Sequence, residues 1–184
     1  GVTAALLVCA NRLVSDGDAD TARPVFSALL AEDDLATHHL TAALRGTLTT
    51  DPEKGMASVW SMLEDENKST VALNVLGSVT GTPELARDVV SHFDGLRLET
   101  QVALAKILGG MGQPEARSKM MAVARSDGEP ALVEAAVLAL GGIPGNEASV
   151  KLLCTLATDP ESDLRDAARE ALVNTPGQTA EDVI

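Results

Sequence analysis

The sequence predicts an all-α array of helix pairs, and three observations carry that expectation. Apolar residues recur at helical spacing: in residues 159–177, Leu164, Ala167, Ala168, Ala171 and Leu172 follow i, i+3, i+4, i+7 and i+8. The same pattern returns every 32 residues, since Leu172, Leu140, Leu108, Leu76 and Leu44 each close a similar run. Leu153, Met121, Val89, Ala57 and Val25 keep that spacing in the helices that alternate with these. Finally, the aromatics are only Phe26, Trp60 and Phe93, while Ala and Leu abound, which suits helices packed closely through small side chains and not a sandwich or barrel. A period of this length stacks two-helix units whose shared faces build a continuous core.

In order, Leu6, Cys9, Ala10, Leu13 and Val14 reproduce the stripe of Leu164 to Leu172, so the chain opens on the second helix of a partial unit, residues 1–17. The unit 18–50 pairs a helix over 21–31, with Ala22, Val25, Phe26 and Leu29 on one face, with a helix over 35–45 ending at Gly46. Pro24 is tolerable there because it lies in the opening turn. The unit 51–81 opens at Asp51-Pro52, where Asp caps and Pro takes the first helical position, and its second helix covers 68–77. Its first helix is irregular, because Val59, Trp60 and Leu63 shift the stripe. Thr82-Pro83 opens the unit 82–112, Gln113-Pro114 the unit 113–145, and Pro144-Gly145-Asn146 leads into the unit 146–177. Residues 178–184 are expected to start a further unit, so the chain is expected to be a piece of a longer protein. Ten or eleven helices, no strand and no disulfide follow.

Bulk properties narrow the function classes. With 184 residues and 45% hydrophobic content the chain can bury a sizeable core. Its net charge of −13 is spread along the length, with 14 acids and 6 bases in residues 1–96 and 13 and 8 in 97–184. Such a surface repels nucleic acid and anionic membranes and favours basic partners. The apolar run 4–10 is too short to span a bilayer. Cys9 and Cys154 stand several repeats apart, too far to bond to each other, and as small buried hydrophobes they favour a reducing, cytoplasmic setting.

The string Asp159-Pro160…Leu164-Arg165…Ala167-Ala168…Ala171-Leu172 resembles the HEAT-like repeat of the bacterial and phycobilin-lyase type, with weaker copies at Glu134-Ala135-Ala136…Ala139-Leu140-Gly141, Gln101-Val102-Ala103-Leu104…Leu108-Gly109 and Leu76-Gly77. The characteristic Arg stands only at Arg165, with Val133, Gln101, Ser69 and Thr37 in its place elsewhere. The resemblance implies a right-handed α-solenoid with first helices on the convex side and second helices on the concave side. It also implies a protein-binding scaffold without catalytic residues.

Candidate chemistry is sparse. His38 and His39 are neighbours that point about 100° apart on a helix, so a metal would need a distant third ligand. The acidic turns lack the alternating ligands and central Gly of a calcium loop and act better as helix-start caps. Gly109-Gly110 and Gly141-Gly142 follow helices and suit C-terminal caps, not phosphate loops. No catalytic residue, cofactor or metal is expected.

One pattern stands out. Opposite the inward stripe, the second helices of the middle units carry Leu73, Val102, Val137 and Leu138 beside Lys106 and Glu134, where the terminal units place His38, Thr41, Asp166 and Arg169. Either these residues flank the seams between repeats, or they form an apolar track for a protein or peptide on the concave face. The leading expectation is a non-enzymatic interaction scaffold. The alternatives are an accessory segment of a larger modifying enzyme, lyase-like, whose catalytic part lies outside this chain, or a structural spacer. Leu108 and Leu140 are expected to be buried at the repeat interfaces, whereas truncating Lys119 is expected to cost little.

Overall fold

A computed structural model of the protein describes residues 1–32 and 34–176. Among them are eleven α-helices and two short 3₁₀ turns, and no strand. Gly177 and the further unit expected at 178–184 lie outside the described residues. Contacts divide the chain into two compact units, Gly1–Ser78 and a second beginning at Val79.

Unit 1 holds α1 (Val2–Ser15), α2 (Ala19–Leu30), α3 (Thr37–Thr50), α4 (Pro52–Glu64) and α5 (Ser69–Ser78). The second helices α1, α3 and α5 pack in succession, α2 lies against α1 and α3, and α4 lies against α3 and α5. Two layers of helices result, with Leu7, Ala10, Ala22, Phe26, Leu29 and Ala43 at the centre of the core. Asp18 and Asp51 start α2 and α4 by accepting the N–H of Thr21 and Lys54. Gly46 does not end its helix. A Cβ there would meet the Phe26 ring at 2.3 Å, so this glycine lets the aromatic ring lie on the α3 backbone, and α3 runs on to Thr50. Thr47 and Thr50 bury their hydroxyls by donating to the carbonyls of Ala43 and Gly46.

The stripe of α1 differs from expectation. Leu7 and Ala10 are buried, while Leu6 is 41% exposed and Cys9 is exposed. Both α2 and α3 press on α1, and Leu6 and Leu7 are equally apolar, so packing chose between two phases that hydropathy left equivalent. Cys154 is half-buried, so neither thiol is the fully buried hydrophobe expected; both are free.

Unit 2 holds α6 (Pro83–His92), a 3₁₀ turn (Phe93–Gly95), α7 (Leu98–Met111), a second 3₁₀ turn (Pro114–Ala116), α8 (Arg117–Ala124), α9 (Pro130–Gly142), α10 (Glu147–Thr158) and α11 (Arg165–Asn174). Again the second helices α7, α9 and α11 pack in succession, and the first helices lie against them. Thr82 caps α6 through the N–H of Leu85, and Asn146 and Ser149 close a capping box at the start of α10. Leu108 and Leu140 are buried, as expected.

The seams in this layer are unusually close. A Cβ on Gly109 would stand 2.7 Å from Ala139 Cα, and one on Gly141 would stand 2.6 Å from Ala171 Cα. Each glycine therefore admits the backbone of the next second helix. Both lie inside helices rather than after them, which corrects their assignment as caps; the left-handed cap of α7 is Gly112, with φ of 62°.

Side chains tie consecutive repeats together through backbone carbonyls. Gln113 Nε2 donates to Gly81 O at 2.9 Å and Arg117 Nε to Pro144 O at 3.1 Å, as Arg23 Nε does to Thr50 O in unit 1 at 3.0 Å. Gln101, at the register position of Arg165, donates to Phe93 O at 3.0 Å, holding the loop ahead of α7. Lys119 is a correction. Its side chain is only 19% exposed, pairs with Asp94 and lies 5.4 Å from the centroid of the Phe93 ring, because the 3₁₀ turn brings both partners beneath α8.

Candidate partner-binding face

The second helices of unit 2 decide which of the expected track residues reach solvent. On α9, Val133, Val137 and Gly141 are four residues apart and all buried, and Gly141 marks the direction of that stripe by its contact with Ala171 of α11. On α7, Ala105 and Gly109 form the matching buried stripe toward Ala139 of α9. Val137, with 0% exposure, is therefore a seam residue and lines no outward track. The space beside Gly109 and Gly141 is filled by the backbone of the neighbouring helix.

One step around each helix the surface opens. Val102 is half-buried and Lys106 exposed on one face of α7. Glu134 is exposed and Leu138 half-buried at the corresponding positions of α9, 32 residues later. On α11 the same two positions carry Asp166 and Glu170, both exposed. Unit 2 thus presents two neighbouring helices whose outer faces each combine one aliphatic and one charged side chain, and Lys106 and Glu134 bring opposite signs. Leu73 lies on α5 of unit 1, half-buried, at the register of Ala105 and Val137.

Residues 95–173 match a family model of HEAT repeats. HEAT repeats are commonly protein-interaction scaffolds, and the match covers the stretch from the first 3₁₀ turn through most of α11, including all four surface residues just described. A HEAT-repeat match points to a scaffold and not to a catalytic domain. No curated protein matches the sequence.

The histidines and Arg169 make local contacts. His38 is exposed and His39 half-buried, with ring centroids 3.9 Å apart and planes tilted by 47°. Ser91 and Asp88 both surround Nδ1 of His92 within one turn of α6, the hydroxyl at 3.1 Å and the carboxylate at 3.5 Å. These contacts form a local cluster at the end of α6. Arg169 Nε donates to Ala157 O at 3.2 Å, so it fastens α11 to the end of α10. No helix among the described residues is long and apolar enough to cross a membrane.

Proposed function

We propose that the chain is a non-enzymatic interaction module that binds a protein or peptide across the outer faces of α7 and α9. The observation that carries this reading is the pairing of a half-exposed aliphatic residue with a charge on each of two adjacent second helices, where α11 has Asp166 and Glu170 at the same two positions. Val102 and Leu138 supply apolar contact, and Lys106 and Glu134 fix orientation through opposite charges. The acidic surface elsewhere raises the association rate of basic partners. The 32-residue period supports stacked helix pairs within each unit, and the Asp159-Pro160…Ala171-Leu172 string supports the bacterial and phycobilin-lyase type among HEAT repeats.

A site-specific photocrosslinker tests the face. Placed at Lys106 or Glu134 in the native cell, it should trap one partner set in common. Placed at Glu84 or Glu147, exposed at the starts of first helices, it should trap none of that set. Equal trapping at all four positions would place the partner elsewhere.

A further inference from the structure

Unit 1 contains a cavity of about 400 Å³ between the end of α2, one face of α4 and the loop entering α5. It arises from sequence. The apolar stripe of α4 is Gly55, Val59, Met62 and Leu63, displaced by one residue from the 32-residue register, so Ala57 is exposed although its equivalents Val89, Met121 and Leu153 are buried. The face of α4 toward the cavity then carries Lys54 with Ala57, Ser58 and Ser61, and the last three are small side chains that leave the space open.

The polar groups around this space are unequal in their engagement. Every arginine of unit 1 has a partner: Arg12 pairs with Asp16, Arg23 with Asp20 and Thr50 O, and Arg45 with Ser78. Lys54 and Lys68, which stand at the starts of α4 and α5 and both line the cavity, have no side-chain acceptor among the described residues. That is notable in a chain of net charge −13, where carboxylates are plentiful. Asp65, the one acid in the lining, has Oδ1 taken by the N–H of Asn67 at 2.9 Å, tying it to the turn. Ser58 donates its hydroxyl to Lys54 O, while Ser61 is exposed and makes no described hydrogen bond. Leu30 and Met62 add an apolar wall.

We infer that this cavity is an anion-binding site for a phosphomonoester or carboxylate on a short apolar stem. Two lysines from the starts of different helices line one space, and their ammonium groups are compact point charges that suit a tetrahedral or planar oxyanion without demanding the bidentate geometry of arginine. A hydroxyl beside them supplies a neutral donor, and the Leu30 and Met62 wall takes the stem. The volume falls in the lower part of the range for ligand pockets, which suits a single modified amino acid or a small organic acid rather than a nucleotide. The site is independent of the α7 and α9 face, and either stands if the other fails.

The test is a titration of the ¹⁵N-labelled full chain followed by amide shifts. The probes are N-acetyl-phosphoserine amide, N-acetyl-glutamate amide, inorganic phosphate, and a nine-residue peptide centred on phosphoserine. At least one probe should give saturable shifts confined to Leu30 with its neighbours and residues 54–69, with a Kd of about 1 mM or tighter and weaker at high salt. Tighter binding of the peptide than of its phosphoamino acid identifies a chain-borne anion as the ligand, and equal binding identifies a free one. Lys54→Gln with Lys68→Gln should weaken the best probe by about tenfold or more, while Arg87→Gln in unit 2 leaves it unchanged. Both lysines are at the surface, and a retained amide spectrum confirms the fold of the variant. Shifts that stay linear to about 20 mM for all four probes, or binding unaltered in the double variant, would overturn the inference.

Discussion

Two adjacent glycines in α7 should respond to the same substitution with opposite sign. Gly109 is buried in the seam with α9, and an added Cβ would stand 2.7 Å from Ala139 Cα, 3.1 Å from Ala139 Cβ and 3.2 Å from Ala139 O. Two of those three atoms are backbone, which cannot rotate away, so the helices would have to separate by about 1 Å to reach ordinary van der Waals contact. Overpacking of this kind costs about 1–3 kcal/mol, against a gain of up to about 1 kcal/mol from the better helix propensity of Ala. Gly109→Ala should therefore lose up to about 2 kcal/mol, the overpacking cost less the full propensity gain. Gly110 is exposed, and nothing lies within 4 Å of its added Cβ, so Gly110→Ala keeps only the propensity gain of up to about 1 kcal/mol. In a chain of this size 1 kcal/mol moves Tm by about 2–4 °C, so calorimetry resolves the two. Amide exchange in α7 and α9 assigns the transition to unit 2. Should Gly109→Ala prove as stable as Gly110→Ala, the close seam between α7 and α9 is wrong, and with it the placement of Val137 inside.

Two further outcomes follow from the core and its ties. Leu108→Ala and Leu140→Ala should each cost about 2–5 kcal/mol in denaturant unfolding, because both side chains are essentially inaccessible. Lys119→Ala should cost about 0.5–1.5 kcal/mol, as it removes both the pairing with Asp94 and the cation over Phe93, and Lys119→Met should recover the packing part of that loss.

The helix pairs were legible because their boundaries carry chemistry. Asp51, Thr82 and Asn146 each accept the N–H three residues ahead, two of them with a proline next in sequence, and nothing in tertiary packing competes with so local a signal. What the sequence did not show is rotation about a helix axis. Helix α9, PALVEAAVLALGG, is apolar nearly all round, so its pattern cannot separate the stripe facing the core from the one facing α11. Val137 was misplaced for that reason, whereas Glu134 was placed outward because its charge leaves one choice. The same ambiguity exchanged Leu6 for Leu7 in α1. Lys119 eluded the pattern differently: its partners Asp94 and Phe93 sit 25 and 26 residues earlier, in a turn that no helical period relates to it. The cavity of unit 1 was foreshadowed only by the shifted stripe of α4. Its meaning depends on which lysines find acceptors, and that needs coordinates.

The claim that α7 and α9 present a binding face is tested most directly by peptide selection against the full chain. A random peptide library displayed on phage should yield sequences that bind the wild type and are lost on Val102→Asp with Leu138→Asp. That variant should keep its helical circular dichroism and its Tm within a few degrees, because both side chains are already half in water. Charge reversal at Lys106 should redirect the selected sequences toward basic residues at one position, since the new acid would join Glu134 on the outer faces of the two adjacent helices. Selected peptides that bind the double variant as well as the wild type would contradict the account and assign the outer faces of these helices to solvent alone.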